Sequence, residues 1–146
     1  MVSASLFKFD PNHLTMFSSS SSIRTEGVLV SVRTAYVAAQ SSPEHEHFVF
    51  AYKILIRNES EETVQLIRRQ WVIKDAFGGT EVVKGDGVVG QQPILGPGES
   101  HEYMSGCNFR TPIGVMHGYY YMLKPDGTEF RVRIPKFTMV FPVLMN

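Results

Sequence analysis

Residues 48–57 read FVFAYKILIR. Phe48, Phe50, Tyr52, Ile54 and Ile56 fall on one parity, and Val49, Ala51, Lys53, Leu55 and Arg57 on the other. Side chains alternate across a strand, so this segment is a β-strand with one strongly apolar face. Upstream, Val28, Val30 and Val32 alternate with Leu29, Ser31 and Arg33, again with a period of two. Polar residues 40–46, with Pro43 among them, form the loop between these strands, and residues 58–62, NESEE, form the turn that follows.

Downstream, the parity breaks. Val64 and Leu66 share one parity, Trp71 and Ile73 the other. Both pairs reach the same face only if an extra residue sits between them, so a β-bulge is expected near Arg68 to Gln70, with the single tryptophan in the core. Gly78-Gly79 reads as a hairpin turn into Glu81-Val82-Val83. A long Gly-rich connection then runs to the turn Gly96-Pro97-Gly98-Glu99 and a short strand, Ser100 to Ser105. Residues 108–114 contain Thr111-Pro112 and read as a loop. Met116 to Leu123 is a Tyr-rich strand, and Lys124-Pro125-Asp126-Gly127-Thr128 is a turn in which proline presets one dihedral and glycine accepts a positive one. Phe130, Val132 and Ile134 alternate, then Phe137, Met139 and Phe141 continue with shifted parity, so Pro135 marks a bulge or an edge. Helical periodicity is nearly absent. Many short strands separated by turns predict an all-β chain, an antiparallel β-sandwich, with a barrel as the alternative.

The chain has 146 residues, which suits one domain with a core of its own. Residues 1–22 end in five serines and read as a flexible tail, leaving 23–146 as the domain. Leu6, Phe7, Phe9 and Phe17 are unusual for a linker and are candidates to dock on the domain or on a partner. The 14 basic and 14 acidic residues cancel, which argues against nucleic acid or an anionic membrane as partner. Arg68-Arg69 reads as a solvated strand face. No apolar run reaches the length of a transmembrane helix. The lone Cys107 cannot form an intramolecular disulfide and fits a reducing, cytoplasmic setting; the Ser-rich start leaves organelle targeting open.

Several residues invite a functional reading. Gly85, Gly87 and Gly90 form a GxGxxG, but Gln91-Gln92-Pro93 follows where a dinucleotide fold needs a helix. A looser reading is a phosphate or pyrophosphate nest made by the amides of Gly85, Gly87 and Gly90 with charge from Lys84; the alternative is that the glycines supply positive dihedrals in a tight crossover. His45 and His47 would share one face if extended, yet two imidazoles are too few for a metal centre, and no metal ligand set is assigned. Cys107 lacks any neighbouring base in sequence and reads as structural. Tyr119 and Tyr121 alternate with Tyr120, so one set belongs to the core and the other to an outer sheet surface suited to an interface.

The stretch from Arg57 to Pro142 resembles the ApaG family. The resemblance is carried by Asn58, Thr63-Val64-Gln65-Leu66, Trp71-Val72-Ile73, residues 85–93 (GDGVVGQQP), residues 95–99 (LGPGE) and Tyr103-Met104-Ser105-Gly106-Cys107. Thr111-Pro112-Ile113-Gly114, Met116-His117-Gly118 and Ile134-Pro135-Lys136-Phe137 complete it. It implies a fibronectin type III-like β-sandwich. Bacterial members are small stand-alone proteins linked genetically to cobalt resistance and magnesium handling. Eukaryotic members are appended to F-box proteins and to a polymerase-delta-interacting protein, where the domain looks like a protein-binding module. The resemblance brings no catalytic residue, and no F-box is recognisable here. The combined expectation is a non-enzymatic domain without a cofactor that binds an as yet unidentified protein through Val88, Val89, Gln91, Tyr119 and Tyr121. Binding of phosphate, pyrophosphate, a nucleotide phosphate or a divalent metal is the alternative, and an exposed edge strand gives a route to a homodimer.

Overall fold

The computed structural model describes residues 17, 18 and 20–145. Most of the expected tail, with Leu6, Phe7 and Phe9, lies outside the described residues. Nine strands are present among them: β1 (Ser21–Thr25), β2 (Val28–Tyr36), β3 (Phe48–Asn58), β4 (Val64–Asp75), β5 (Thr80–Asp86), β6 (Ile94–Leu95), β7 (Ser100–Phe109), β8 (Ile113–Leu123) and β9 (Glu129–Val140). They form two sheets, one ordered β1-β2-β3-β7 and the other β5-β4-β8-β9 with β6 beside β4, and every described pairing is antiparallel. The expected antiparallel sandwich is therefore the architecture.

The inner faces carry the core. Val28, Val30 and Val32 of β2 and Phe50, Tyr52, Ile54 and Ile56 of β3 are buried against Leu66, Trp71, Ile73, Met116, Tyr120, Met122, Val132 and Met139 of the second sheet. The bulge in β4 falls between Leu66 and Arg68, one residue earlier than the earliest expected position, and it returns Trp71 to the core at 2% exposure. The second parity break, at Pro135, is also real: the β8–β9 register shifts between Met116 and Gly118. The hairpins at residues 76–79 and 124–128 close as expected. Asp75 Oδ1 accepts from the Phe77 and Gly79 amides, and Asp126 Oδ1 accepts from the Thr128 amide.

Two segments differ from their sequence reading. β1 takes in Ser21 and Ser22, because their backbone pairs with Val32 and Ser31 across a two-residue turn, Glu26-Gly27, in which both φ angles are positive. Ladder hydrogen bonds, which need no side-chain burial, order serines that a hydrophobicity argument treats as tail. Phe17, from that same segment, packs on a small cluster of Val37, Val49 and Ala51. β7 runs on to Phe109 rather than ending at Ser105, since Cys107 and Phe109 pair with Phe50 and Phe48 and are fully buried.

Candidate functional site

The Gly-rich connection begins where β5 ends. Gly87 has φ of +61° and donates its amide to the Ile67 carbonyl at 2.8 Å, locking the loop to the β4 bulge. Val88 and Gln91 exchange two backbone hydrogen bonds, 2.8 and 3.0 Å, around Val89 and Gly90 with φ of +46° and +76°. Positive φ at both central residues is the type I′ geometry that glycine favours. Gln92 Nε2 also donates to the Ile67 carbonyl, at 2.9 Å. The amides of Gly87, Val88 and Gln91 are thus taken up by the protein itself. Lys84 pairs across the ladder with Gln70, and Gly85 with Arg69, so Lys84 points to the sheet face opposite Gly85. The proposed phosphate residues Lys84, Gly85, Gly87 and Gly90 are therefore not brought together around one concave surface.

What the glycines do surround is Arg69. After the bulge Arg69 shares the parity of Trp71 and lies on the inner face. Its Nη1 donates to the carbonyls of Asp86 (3.0 Å) and Gly87 (2.9 Å). A Cβ on Gly85 would stand 2.8 Å from Nη1 and 2.9 Å from Cζ, so a glycine there leaves room for the guanidinium. Across from it, β3 and β7 present Tyr52, Tyr103 and Ser105, and a cavity of about 170 Å³ lies between these residues, Arg69, Trp71 and Val88. The Tyr103 and Tyr120 hydroxyls share a hydrogen bond. Burial pushes the Tyr52, Tyr103 and Tyr120 phenols well up, while the nearby Arg69 charge pulls each of them down. Sequence reasoning passed over Arg69 as solvated, though the parity argument that put Trp71 inside also put Arg69 on the same face.

The outer face of the same sheet is a grid. Reading from β5 to β9, one row is Asp86, Arg68, Tyr121 and Arg131, and the next is Lys84, Gln70, Tyr119 and Arg133. Arg68 sits over the Tyr121 ring, 4.4 Å from its centroid, and pairs with both carboxylate oxygens of Glu129. Arg131 sits over Tyr119 at 4.8 Å, and the Tyr121 hydroxyl donates to Gln70 Oε1 at 3.2 Å. His117 lies further along; partial burial, then the Lys74 and Lys136 charges, lower its pKa. Of the residues expected to meet a partner, Tyr119 and Tyr121 are half-buried on this face, and Val89 and Gln91 are exposed at the turn. Val88 is not available: it is 1% exposed and packs in the core cluster between the sheets.

The remaining candidates resolve simply. His45 belongs to a short 3-10 turn, Pro43–His45, with Nδ1 2.6 Å from Ser42 Oγ, and Glu46 follows in the left-handed region. The extended geometry that would align His45 with His47 is therefore missing there. Among the described residues no cluster of three or more His, Cys, Asp or Glu side chains could hold a metal. Cys107 is fully buried and its thiol faces Met139 Sδ at 3.6 Å; burial raises its pKa far above the ordinary thiol value. At pH 8.5, about the ordinary thiol pKa, an aromatic disulfide reagent should therefore leave the native thiol unlabelled and react promptly once the chain is unfolded in urea. Fast labelling of the native chain would contradict this burial.

Comparison with known proteins sets this geometry in context. A family model described as the ApaG domain matches residues 38–124. Protein ApaG of Thiobacillus denitrificans is 49% identical over 117 residues, covering 80% of this chain and 92% of that protein. Protein ApaG of Paramagnetospirillum magneticum is 48% identical over 118 residues, covering 81% and 91%. A crystal structure of an ApaA protein from Bordetella pertussis aligns with a TM-score of 0.77 at 44% identity, over 79% of this chain and 94% of that one.

Proposed function

This chain belongs to the ApaG domain family, and from that premise we propose that it is a non-enzymatic, cytoplasmic module that binds a protein partner through the outer face of the β5-β4-β8-β9 sheet. The exposed turn at Val89 and Gln91 forms the margin of that surface. One observation carries the reading. Tyr119 and Tyr121 lie in the middle of an open sheet face, each held under an arginine, and the Tyr121 hydroxyl is fixed by Gln70. Tyrosine and arginine dominate interface hot spots, and aromatic rings already held in place lose little side-chain freedom on binding. Three apolar side chains stand exposed along the same margin: Val82 at 52%, Val89 at 65% and Ile94 at 64%. β5 is an edge strand, so a second copy or a partner strand can pair with it.

The experiment is capture of partners from a cell extract on the immobilised chain, followed by affinity measurement with the recombinant partner. Tyr119→Ala and Tyr121→Ala should each weaken binding by about thirtyfold, the effect of a hot spot of roughly 2 kcal/mol. Lys53→Ala, on the opposite sheet, should leave the affinity unchanged. The reading fails if both tyrosine variants, checked to unfold at the wild-type urea midpoint, bind as the wild type does.

A further inference from the structure

We propose that the crevice around Arg69 is a binding site for a compact oxyanion, either inorganic phosphate or a single carboxylate presented by a partner. The first ground is charge. Ion pairs among the described residues join Arg24 to Glu59, Lys53 to Glu102 and Arg68 to Glu129, and Arg69 enters none of them. Two carbonyls satisfy its Nη1 but leave the positive charge uncompensated, and the other N–H groups meet no acceptor among the described residues. Arg69 is half-buried at the mouth of the crevice, so its unused N–H groups can give charge-assisted hydrogen bonds to an anion that enters there. Asp86 lines the rim of the crevice but forms no ion pair with Arg69: it is exposed, stands in the outer row with Arg68, and meets Arg69 through its carbonyl.

The second ground is the lining. Tyr52, Tyr103 and Ser105 line the wall opposite the guanidinium; Tyr103 shares a hydrogen bond with Tyr120 and Tyr52 with Ser105, and in each pair the accepting hydroxyl still has its own proton to give to a phosphate or carboxylate oxygen. The third is size. At about 170 Å³ the cavity is smaller than the roughly 300 Å³ at which pockets for drug-sized ligands begin, so a nucleotide does not fit and a single oxyanion group does. The fourth is access. β5 and β7 are edge strands of their respective sheets, and residues of both line the crevice beside the Val89-Gly90 turn. The GxGxxG loop thus serves anion binding indirectly: Gly85 makes room for the arginine, where a dinucleotide fold would offer loop amides. This site is separate from the outer face, and its failure would leave the partner-binding reading intact.

The test is an NMR titration of the full ¹⁵N-labelled chain, following backbone amides and the Arg69 Nε–Hε signal. One arm adds sodium phosphate, a second adds N-acetylglutamate amide, and sodium chloride at matched ionic strength is the reference. Saturable shifts at Arg69, Val88, Val89, Gly90 and Ser105, with Kd of about 1–10 mM or tighter, are expected in one arm or both. Saturation by phosphate alone assigns the site to the free anion, and by the carboxylate alone to a partner's side chain. Arg69→Gln should weaken binding at least tenfold, and Tyr103→Phe, which keeps the ring, about threefold. The proposal is overturned if neither anion gives saturable shifts beyond those of chloride, if Arg69→Gln binds like the wild type, or if the shifts map to Lys84 and Arg131 on the outer face.

Discussion

Trp71→Ala should lower the unfolding free energy by about 3–5 kcal/mol, the range for removing a large aromatic side chain from a packed core. The side chain is 2% exposed and sits between two other rings: Tyr52 at 5.7 Å and Phe137 at 5.9 Å between centroids, the latter edge-on at 89°. These contacts join β3 of one sheet to β4 and β9 of the other, so the loss falls on the seam between sheets. The backbone around Trp71 cannot collapse inward easily. Gly118 lies directly opposite, and a Cβ there would already stand 2.0 Å from the Gln70 carbonyl oxygen. A hole left by the indole therefore stays largely open and merges with the cavity at Arg69. Domains have total stabilities of about 5–15 kcal/mol, so the variant should lose a large part of its margin. Urea unfolding followed by far-ultraviolet circular dichroism measures it, and Trp71→Phe should recover part of the loss. A shift below about 1 kcal/mol would mean that Trp71 does not hold the sheets together.

Asn58→Ala should cost about 2–4 kcal/mol, although it removes only a short polar side chain. Asn58 is fully buried and all of its side-chain capacity is used. Nδ2 donates to the carbonyls of Glu62 (2.7 Å) and Leu95 (2.9 Å), while Oδ1 accepts from the Ser60 amide (3.0 Å) and the Ser60 hydroxyl (2.6 Å). Alanine removes the amide donor from the Glu62 and Leu95 carbonyls and loosens three segments at once: the end of β3, the 58–62 turn and β6. Asn58→Asp should be nearly as damaging, because a carboxylate keeps the contacts to Ser60 and places negative charge against two carbonyl oxygens. The same urea experiment, with hydrogen exchange of the Leu66 amide, reads both effects. That amide is bonded to the Pro93 carbonyl, one residue before β6, so it should exchange faster in the variant than global destabilisation alone requires. Retention of wild-type stability in Asn58→Ala would show that the buried hydrogen bonds contribute nothing net.

Asn58 also shows where reading a sequence stops. It stood out as part of the ApaG resemblance, but nothing local says that one amide fastens the 58–62 turn to a strand 37 positions away. The metal-like spacing of His45 and His47 illustrates the converse. The residues have the right chemistry, yet Pro43 starts a 3-10 turn and Glu46 adopts a left-handed conformation, so alternation does not apply there. Val88 misleads in a third way. An apolar residue within a glycine loop reads as a surface anchor, whereas here it is drawn into the core while its neighbour Val89 takes the exposed turn position. Arg69 was legible in part. The bulge argument that returned Trp71 inside applies equally to the residue two before it, but pattern reading assigns charged residues to solvent by default.

Local rules alone determined that this chain is built of antiparallel strands, with a sandwich or a barrel as the architecture. Strand side chains alternate with a period of two, Asp-Gly and Gly-Gly turns reverse the chain, and a break in parity demands an extra residue, so most of the strands, two hairpins and both bulges follow from neighbouring residues, while β1 and the second half of β7 do not. The tertiary structure decided what the glycines are for and where charge collects. Parity says which side chains share a face, but not which edge of one sheet meets which edge of the other. The Arg69 crevice exists because β5 and β7 lie at the same margin of the sandwich, and the Tyr–Arg grid because β4, β8 and β9 align their outer rows. Both depend on registers set by backbone hydrogen bonds between strands far apart in the chain, and such pairings leave little trace in any single stretch of residues.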